Sequence, residues 1–416
     1  MVGRFSLAGL LAGATIMFAC GVARAQMPPP LPAEALVDAP DAAKVAFLKA
    51  HVVAAGPVTG GLRFDFPAAF YDNKLFLLGE SHGVAAPQVL DLELLTHLNA
   101  RIGLTDYVAE VDPVQGARLN QYLETGDEAV LDRVFDFWTK GGAQWGNTAF
   151  EAKVRGVRAL NQTLPTDRRI QFIGIDAVQD WPLLAAWVVE QGGQADAAAL
   201  AGAATNAARA AIAQGWLATV PASPATSRLA DRLRGVLEGT SKAIGREAVI
   251  FDTYSRVVTG GELGERPAYG LWGMFHVIQG GVNNAQPFAA RVAASDLPTA
   301  RRIVSLAILS LDSAVQIPAP TPAGVQRMRL DNFNIDGPFV KVKGSATLRE
   351  ASPPNAIVLF DIGAEGTPFL SGGDFTDIRT SVGQSFVMDH PERPAASFVQ
   401  YVGVFRNSDW APPRPE

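Results

Sequence analysis

Residues 74–112, KLFLLGESHGVAAPQVLDLELLTHLNARIGLTDYVAEVD, carry two alternating patterns from which a parallel sheet is built. Residues 74–80 are a short apolar run of the kind buried on both faces of a sheet. It ends in Gly79, Glu80, Ser81, His82 and Gly83. Pro87 then opens a helix whose apolar positions Val89, Leu92, Leu95, Leu98 and Ile102 fall on one face, and Gly103 closes it. Residues 106–112, DYVAEVD, read as a second buried strand. Strand, crossover helix and strand together make a βαβ unit.

Working outward, the same strand composition recurs at RIQFIGID (residues 169–176), AYGLWGMFHV (268–277), RRIVSLAILSL (301–311) and AIVLFDIG (356–363). Helical stretches separate these runs. The expected fold is therefore α/β, a mainly parallel sheet flanked by helices. Residues 181–256 differ, being Ala-rich and helical in period, with breaks at Gly192-Gly193 and from Pro221 to Pro224. Trp216, Leu217, Leu229, Leu233 and Val236 give this stretch apolar surface to bury, so it is expected to form a helical cap insertion. Residues 127–157 add cap helix with Phe135, Phe137, Trp138 and Trp145. The stretch 327–348 reads as extended and 412–416 as a frayed tail.

The N-terminus reads as an export signal. Arg4 precedes an apolar run from Leu7 to Phe18, and Ala23-Arg24-Ala25 offers a cleavage site before Gln26. The run is shorter than the ~20 residues a bilayer span needs. The expectation is a periplasmic or secreted protein with no stable membrane insertion after processing. A lipid anchor through Cys20, the single cysteine, is the lesser alternative. The organisation is then 1–25 signal peptide, 26–60 spacer and helix, 61–180 first part of the core with a cap segment, 181–260 insertion, 261–409 remainder of the core and 410–416 tail. A hydrophobic share of 48% with 18% charged residues is a globular balance, and a net charge of -6 disfavours nucleic acid as a partner.

In open α/β sheets, ligands bind beyond the carboxyl ends of the strands. Glu80 and His82 follow one such end, Glu110 and Asp112 lie near a second, Asp176 finishes a third, and His276 lies in the run LWGMFHV. Four strands thus deliver ionisable groups to one edge. Each has a plainer reading alone: Asp176 as a helix cap, Glu110 paired with a buried Arg, His276 as a core residue. His82, with an ordinary pKa near ~6.5, is the natural proton carrier among them. Of the five histidines, His51, His97 and His390 are assigned to surface or packing roles. Ser81 adjoins His82 too closely for a serine triad, so GESHG (79–83) is not read as a nucleophile elbow despite its G-x-S-x-G spacing, and the H-E-x-x-H, P-loop and dinucleotide motifs do not occur.

The sequence resembles the erythromycin esterase-like family. The resemblance rests on LLGESHG (77–83), GLTDYVAEVD (103–112), LNQYLETGD (119–127), FEAKVRGVRALNQ (150–162), RIQFIGID, LWGMFHV (271–277) and PPNAIVLFDIGAEGTPF (353–369), in this order. It implies a metal-independent esterase acting on a small-molecule substrate. In it His82 activates water, Glu80 and Glu110 orient or charge-stabilise it, and His276 faces the developing oxyanion. Asp176, Ser81, Asp112 and Trp272 are the expected substrate-binding or supporting residues. The family usually has two residues between the motif Glu and His, where this chain has only Ser81, and Gly273 and Met274 fill the places of a usual His-Asn pair. These departures point to an ester other than a macrolide lactone. The G-E-x-H spacing is also similar to the ChaN-like and Tiki-type proteins. That likeness implies the alternative of a divalent metal or haem iron held by His82, His276, Glu80 and Glu110.

Overall fold

The computed structural model describes residues 30–220, 227–321, 324–381 and 384–415. The export signal, Cys20 and the break from Pro221 to Pro224 lie outside the described residues. The strands are β1 (Val52–Pro57), β2 (Arg63–Phe64), β3 (Leu75–Glu80), β4 (Asp106–Ala109), β5 (Gln171–Gly174), β6 (Ala268–Gly273), β7 (Ile303–Leu311), β8 (Ser313–Thr321), β9 (Gly324–Phe333), β10 (Val340–Val342), β11 (Ala356–Asp361), β12 (Ile378–Thr380) and β13 (Tyr401–Arg406). The helices are α1 (Ala42–Ala50), α2 (Ala86–Ile102), α3 (Pro113–Thr125), α4 (Glu128–Lys140), α5 (Thr148–Thr163), α6 (Trp181–Glu190), α7 (Gln194–Gly202), α8 (Asn206–Leu217), α9 (Ser227–Ser241), α10 (Arg246–Thr259), α11 (Met274–Val277), α12 (Phe288–Ala293) and α13 (Ser345–Ala351).

Nine strands form one sheet in the order β2-β1-β11-β13-β7-β3-β6-β4-β5. The run from β13 to β5 is parallel, while β11, β1 and β2 join it antiparallel. The fold is therefore α/β with a mostly parallel sheet, and the run AIVLFDIG enters it against the main direction. β3 and β4 flank β6 rather than each other, so the crossover through α2 skips one strand position.

Residues alternate between two apolar layers. Phe76, Leu78, Tyr107, Phe172, Tyr269 and Leu271 face α2 to α9 on one side. Leu75, Leu77, Val108, Ile173 and Trp272 face α1, α10, α12 and α13 on the other. The Ala-rich insertion is helical as its period predicts, but its helices do not stay on one side. α6 to α9 pack in the first layer, whereas Ile250, Tyr254 and Val257 of α10 pack in the second.

Three local expectations are corrected. The inward face of α2 runs through Leu90, Asp91, Leu94, Leu95 and Leu98, with Val89, Leu92 and Ile102 only half-buried, because Asp91 is drawn in by Lys153 and Tyr107. The stretch 327–348 is extended only to Phe333 and at β10, and becomes α13 from Ser345. The C-terminal residues are docked: Pro413 bridges to Asn147, and the Arg414 guanidinium pairs with Asp132, Asp136 and Glu151.

Candidate active site

The parallel strands β3, β4, β5 and β6 put their carboxyl ends at one edge, and the crevice opens where β4 and β6 part. These two pair only at Asp106 with Ala268 and Tyr107 with Tyr269. Beyond that, side chains serve the freed backbone groups, as buried polar groups require. The Leu271 amide donates to Tyr107 Oη at 3.1 Å, the Trp272 indole to the Val108 carbonyl at 3.1 Å, and the Gly273 amide to Glu110 Oε2 at 2.7 Å. A Cβ on Gly270 would stand 2.0 Å from the Val108 oxygen, so only glycine fits there.

Glu80 ends β3 and is buried. Its Oε1 lies 3.0 Å from His82 Nδ1, and both its oxygens accept from Gln88 Nε2, at 3.3 and 3.1 Å. Pro87 and Gln88 enter with the first turn of α2, which explains why a helix start so close to β3 supplies the partner that the sequence did not disclose. Burial raises the Glu80 pKa, and the facing His82 only partly offsets that rise. For His82, burial pulls the pKa down, but the Glu80 hydrogen bond and the Glu80 and Glu110 charges outweigh it and the net shift is upward. His82 keeps a fifth of its side chain exposed. Among the described residues nothing hydrogen bonds to its Nε2. The Trp145 ring lies against the imidazole with centroids 4.2 Å apart.

The second half of the site surrounds Arg246, the first residue of α10. Its guanidinium binds Asp176 through Nε to Oδ1 at 2.9 Å and Nη2 to Oδ2 at 2.5 Å, and binds Glu110 Oε1 at 2.7 Å. Nη1 lies 3.2 Å from His276 Nε2, which is also 3.3 Å from Glu110 Oε1. Glu247, the next residue, holds His276 Nδ1 at 2.9 Å and accepts from the Phe288 amide at 2.8 Å. Burial alone would lower the His276 pKa, yet the Glu247 and Glu110 charges push it up to about 10. Its imidazole is therefore a cation at neutral pH. Burial raises Glu110, but His276 and Arg246 carry it well below the usual carboxylate range.

The two halves meet at Gly273. A Cβ built there would lie 3.0 Å from His82 Nε2 and 3.5 Å from His276 Cδ2. Glu80, His82, Glu110, His276 and Asp176 are thus brought together, and Arg246, Glu247 and Gln88 join them. His276 sits in the one-turn helix α11 rather than in a strand, because the strand stops at Gly273. Glu110 lies just past the end of β4. Three expected residues make no side-chain hydrogen bond to this cluster. Asp112 is the N-cap of α3, accepting from the Val114 and Gln115 amides in a capping box, with burial raising its pKa to about 7. Trp272 is fully buried in the α10 layer against Phe288, and its ring meets His276 edge-on with centroids 5.7 Å apart. The Ser81 hydroxyl has no hydrogen bond among the described residues.

The ligand set of the metal alternative does not fit as four donors. Arg246 occupies the position beside Glu110 and His276 that a shared cation would take, and its guanidinium satisfies the Glu110 and Asp176 carboxylates. Among the described residues no three His, Cys, Asp or Glu side chains gather as a metal set.

No protein-family model matches the chain, and no curated protein matches it in sequence. Its fold is found in solved structures. A succinoglycan biosynthesis protein superposes with a TM-score of 0.63 at 11% identity over 89% of this chain and 98% of its own. A Bacillus cereus protein gives 0.61 at 10% identity over 90% and 99%. A mutant of the erythromycin esterase EreC in its open conformation gives 0.53 at 12% identity over 82% and 92%. The chain shares their fold. No helix among the described residues is long and apolar enough to cross a membrane.

Proposed function

We propose that this chain is a hydrolase of the erythromycin esterase-like type, cleaving a carboxylic ester or lactone with water activated by His82. One observation carries the reading: His82 Nδ1 is held on a buried carboxylate while Nε2 stays bare and partly exposed. A carboxylate on Nδ1 fixes the tautomer with the lone pair on Nε2 and raises its basicity, as a general base needs. His82 Nε2 takes a proton from water, and the water oxygen attacks the carbonyl carbon. The oxyanion forms near the His276 and Arg246 cations, and the proton passes to the leaving alcohol. Preorganised positive charge at that point costs no rearrangement during reaction. Glu110 aligns both cations and fastens Gly273. The aromatic surface around Trp145 and Phe150 receives the apolar part of the substrate.

The test is an ester and lactone panel assayed on wild type and His82→Ala, with and without a chelator. Turnover that is insensitive to chelator and lost in the variant supports the proposal. A validated substrate cleaved by the variant at the wild-type rate refutes it. Residues 1–25 are proposed to direct export and be removed; an N-terminal sequence of the mature protein beginning near Gln26 would support this, and an intact N-terminus after expression in a secreting host would refute it.

A further inference from the structure

We propose that Arg327 is a positioning residue for His82, acting through Trp145 by latching residues 141–147 over the site. Its catalytic part rests on the hydrolase reading above. A cavity of about 20 Å³ lies beside the site, lined among others by Glu80, Gln88, Glu110, Trp145 and Lys153. That holds a single water and no ester. Trp145 stands in its wall, so a shift of residues 141–147 would enlarge it. The strands and α2 to α5 are committed to the apolar layer, but residues 141–147 contribute to it only through Ala143 and Trp145.

Polar contacts from the β8–β9 hairpin hold this loop down. The Arg327 guanidinium donates to the Thr139 carbonyl at 2.8 Å, to Ala143 at 3.2 Å and to Gly146 at 2.6 Å. A Cβ on Gly146 would stand 2.9 Å from Arg327 Nη1, so the glycine makes this approach possible. On β8, the Gln316 carbonyl accepts from Gln144 Nε2 at 2.7 Å, and that amide also reaches the His82 carbonyl at 3.3 Å. The Gln316 amide donates to the Gly83 carbonyl at 2.8 Å. One hairpin thus grips the roof loop and the residue beside His82 together. Releasing Arg327 loosens the loop between its remaining anchors at Gln144 and the Pro413 bridge to Asn147, and with it the Trp145 ring that lies against the imidazole. Small losses of alignment at a reacting group are expensive in rate.

The test combines amide hydrogen exchange with a double-mutant cycle on the full chain. In Arg327→Ala, amides in 141–147 should exchange about tenfold faster or more, with residues 75–80 unchanged, because the loop opens locally rather than globally. On a validated ester, kcat/KM should fall about tenfold in Arg327→Ala, whereas in a Trp145→Ala background Arg327→Ala should cost nothing further, since residues acting through one contact are not additive. If Arg327→Ala does not fold, Arg327→Lys keeps the charge but cannot fork across three carbonyls, and carries the same measurements. Unchanged exchange in the loop, or losses that simply add, overturns the proposal. If wild type turns over no ester, the hydrolase reading falls, and exchange alone judges the latch.

Discussion

His82 Nδ1 lies 3.0 Å from Glu80 Oε1, so a carboxylate buried at the end of a strand grips one side of an imidazole whose other nitrogen has no hydrogen-bond partner among the described residues. Everything chemical proposed for this chain follows from that asymmetry.

Replacing His82 by Ala should lower kcat/KM by ~10²- to 10⁴-fold, the usual contribution of a positioned general base. The side chain is partly exposed, so circular dichroism and the melting temperature should stay at wild-type values. A large loss of melting temperature would show that the imidazole holds the fold instead.

Glu80→Gln removes the charge that raises the His82 pKa. The acid limb of the kcat/KM profile should therefore move to lower pH, with a reduced plateau. An acid limb that stays in place would detach Glu80 from the proton transfer.

Gly273→Ala places a methyl 3.0 Å from His82 Nε2 without straining a backbone at φ -55. Turnover should drop about tenfold or more, a cost of about 1.4 kcal/mol in the barrier, while the unfolding midpoint barely moves. Full activity in this variant would mean that Nε2 works on another side.

Arg246→Met strips Asp176 of its guanidinium and leaves Glu110 only the His276 imidazole as a cationic partner. Breaking a buried pair in this way costs about 3–5 kcal/mol, which urea unfolding would register. A loss under about 1 kcal/mol would mean that water reaches these carboxylates freely.

Because folding lifts the His276 pKa from its ordinary value near ~6.5 to about 10, its protonation stabilises the fold fully below ~6.5. That contribution is lost as pH rises through 10. The lowered Glu110 and Glu247 work in the opposite sense, stabilising above their unfolded values near ~4.3 and losing that on acidification. The stability deficit of His276→Gln should accordingly be larger at pH 6 than at pH 9.5. Equal deficits at both would mean that His276 is neutral in the folded chain.

Much of this site was legible because parallel strands share an edge: once residues 74–80, 106–112 and 169–176 read as strands, Glu80, Glu110 and Asp176 had to converge. His276 was placed on the right edge for an incomplete reason, since apolar composition does not reveal that β6 stops at Gly273. Arg246 and Glu247 were hidden in an Ala-rich helical stretch. The available signal was Gly245, at φ +89, followed at once by two charges where a helix begins. Asp112 and Gln115 spell a capping box, and the structure has Asp112 as the N-cap of α3. The layer that Trp272 faces has no local signal, because alternation along a short strand does not say which side is which. The pairing of Arg327 with carbonyls some 181 to 188 positions away has no local trace.

Where β4 and β6 separate, the width between them is gauged by three side chains rather than by the ladder. Tyr107, Trp272 and Glu110 act as struts of fixed length, each braced against an opposing main-chain group. Shortening a strut would change the aperture while leaving the paired segments of the sheet in register. The width of the crevice can thus be retuned one side chain at a time.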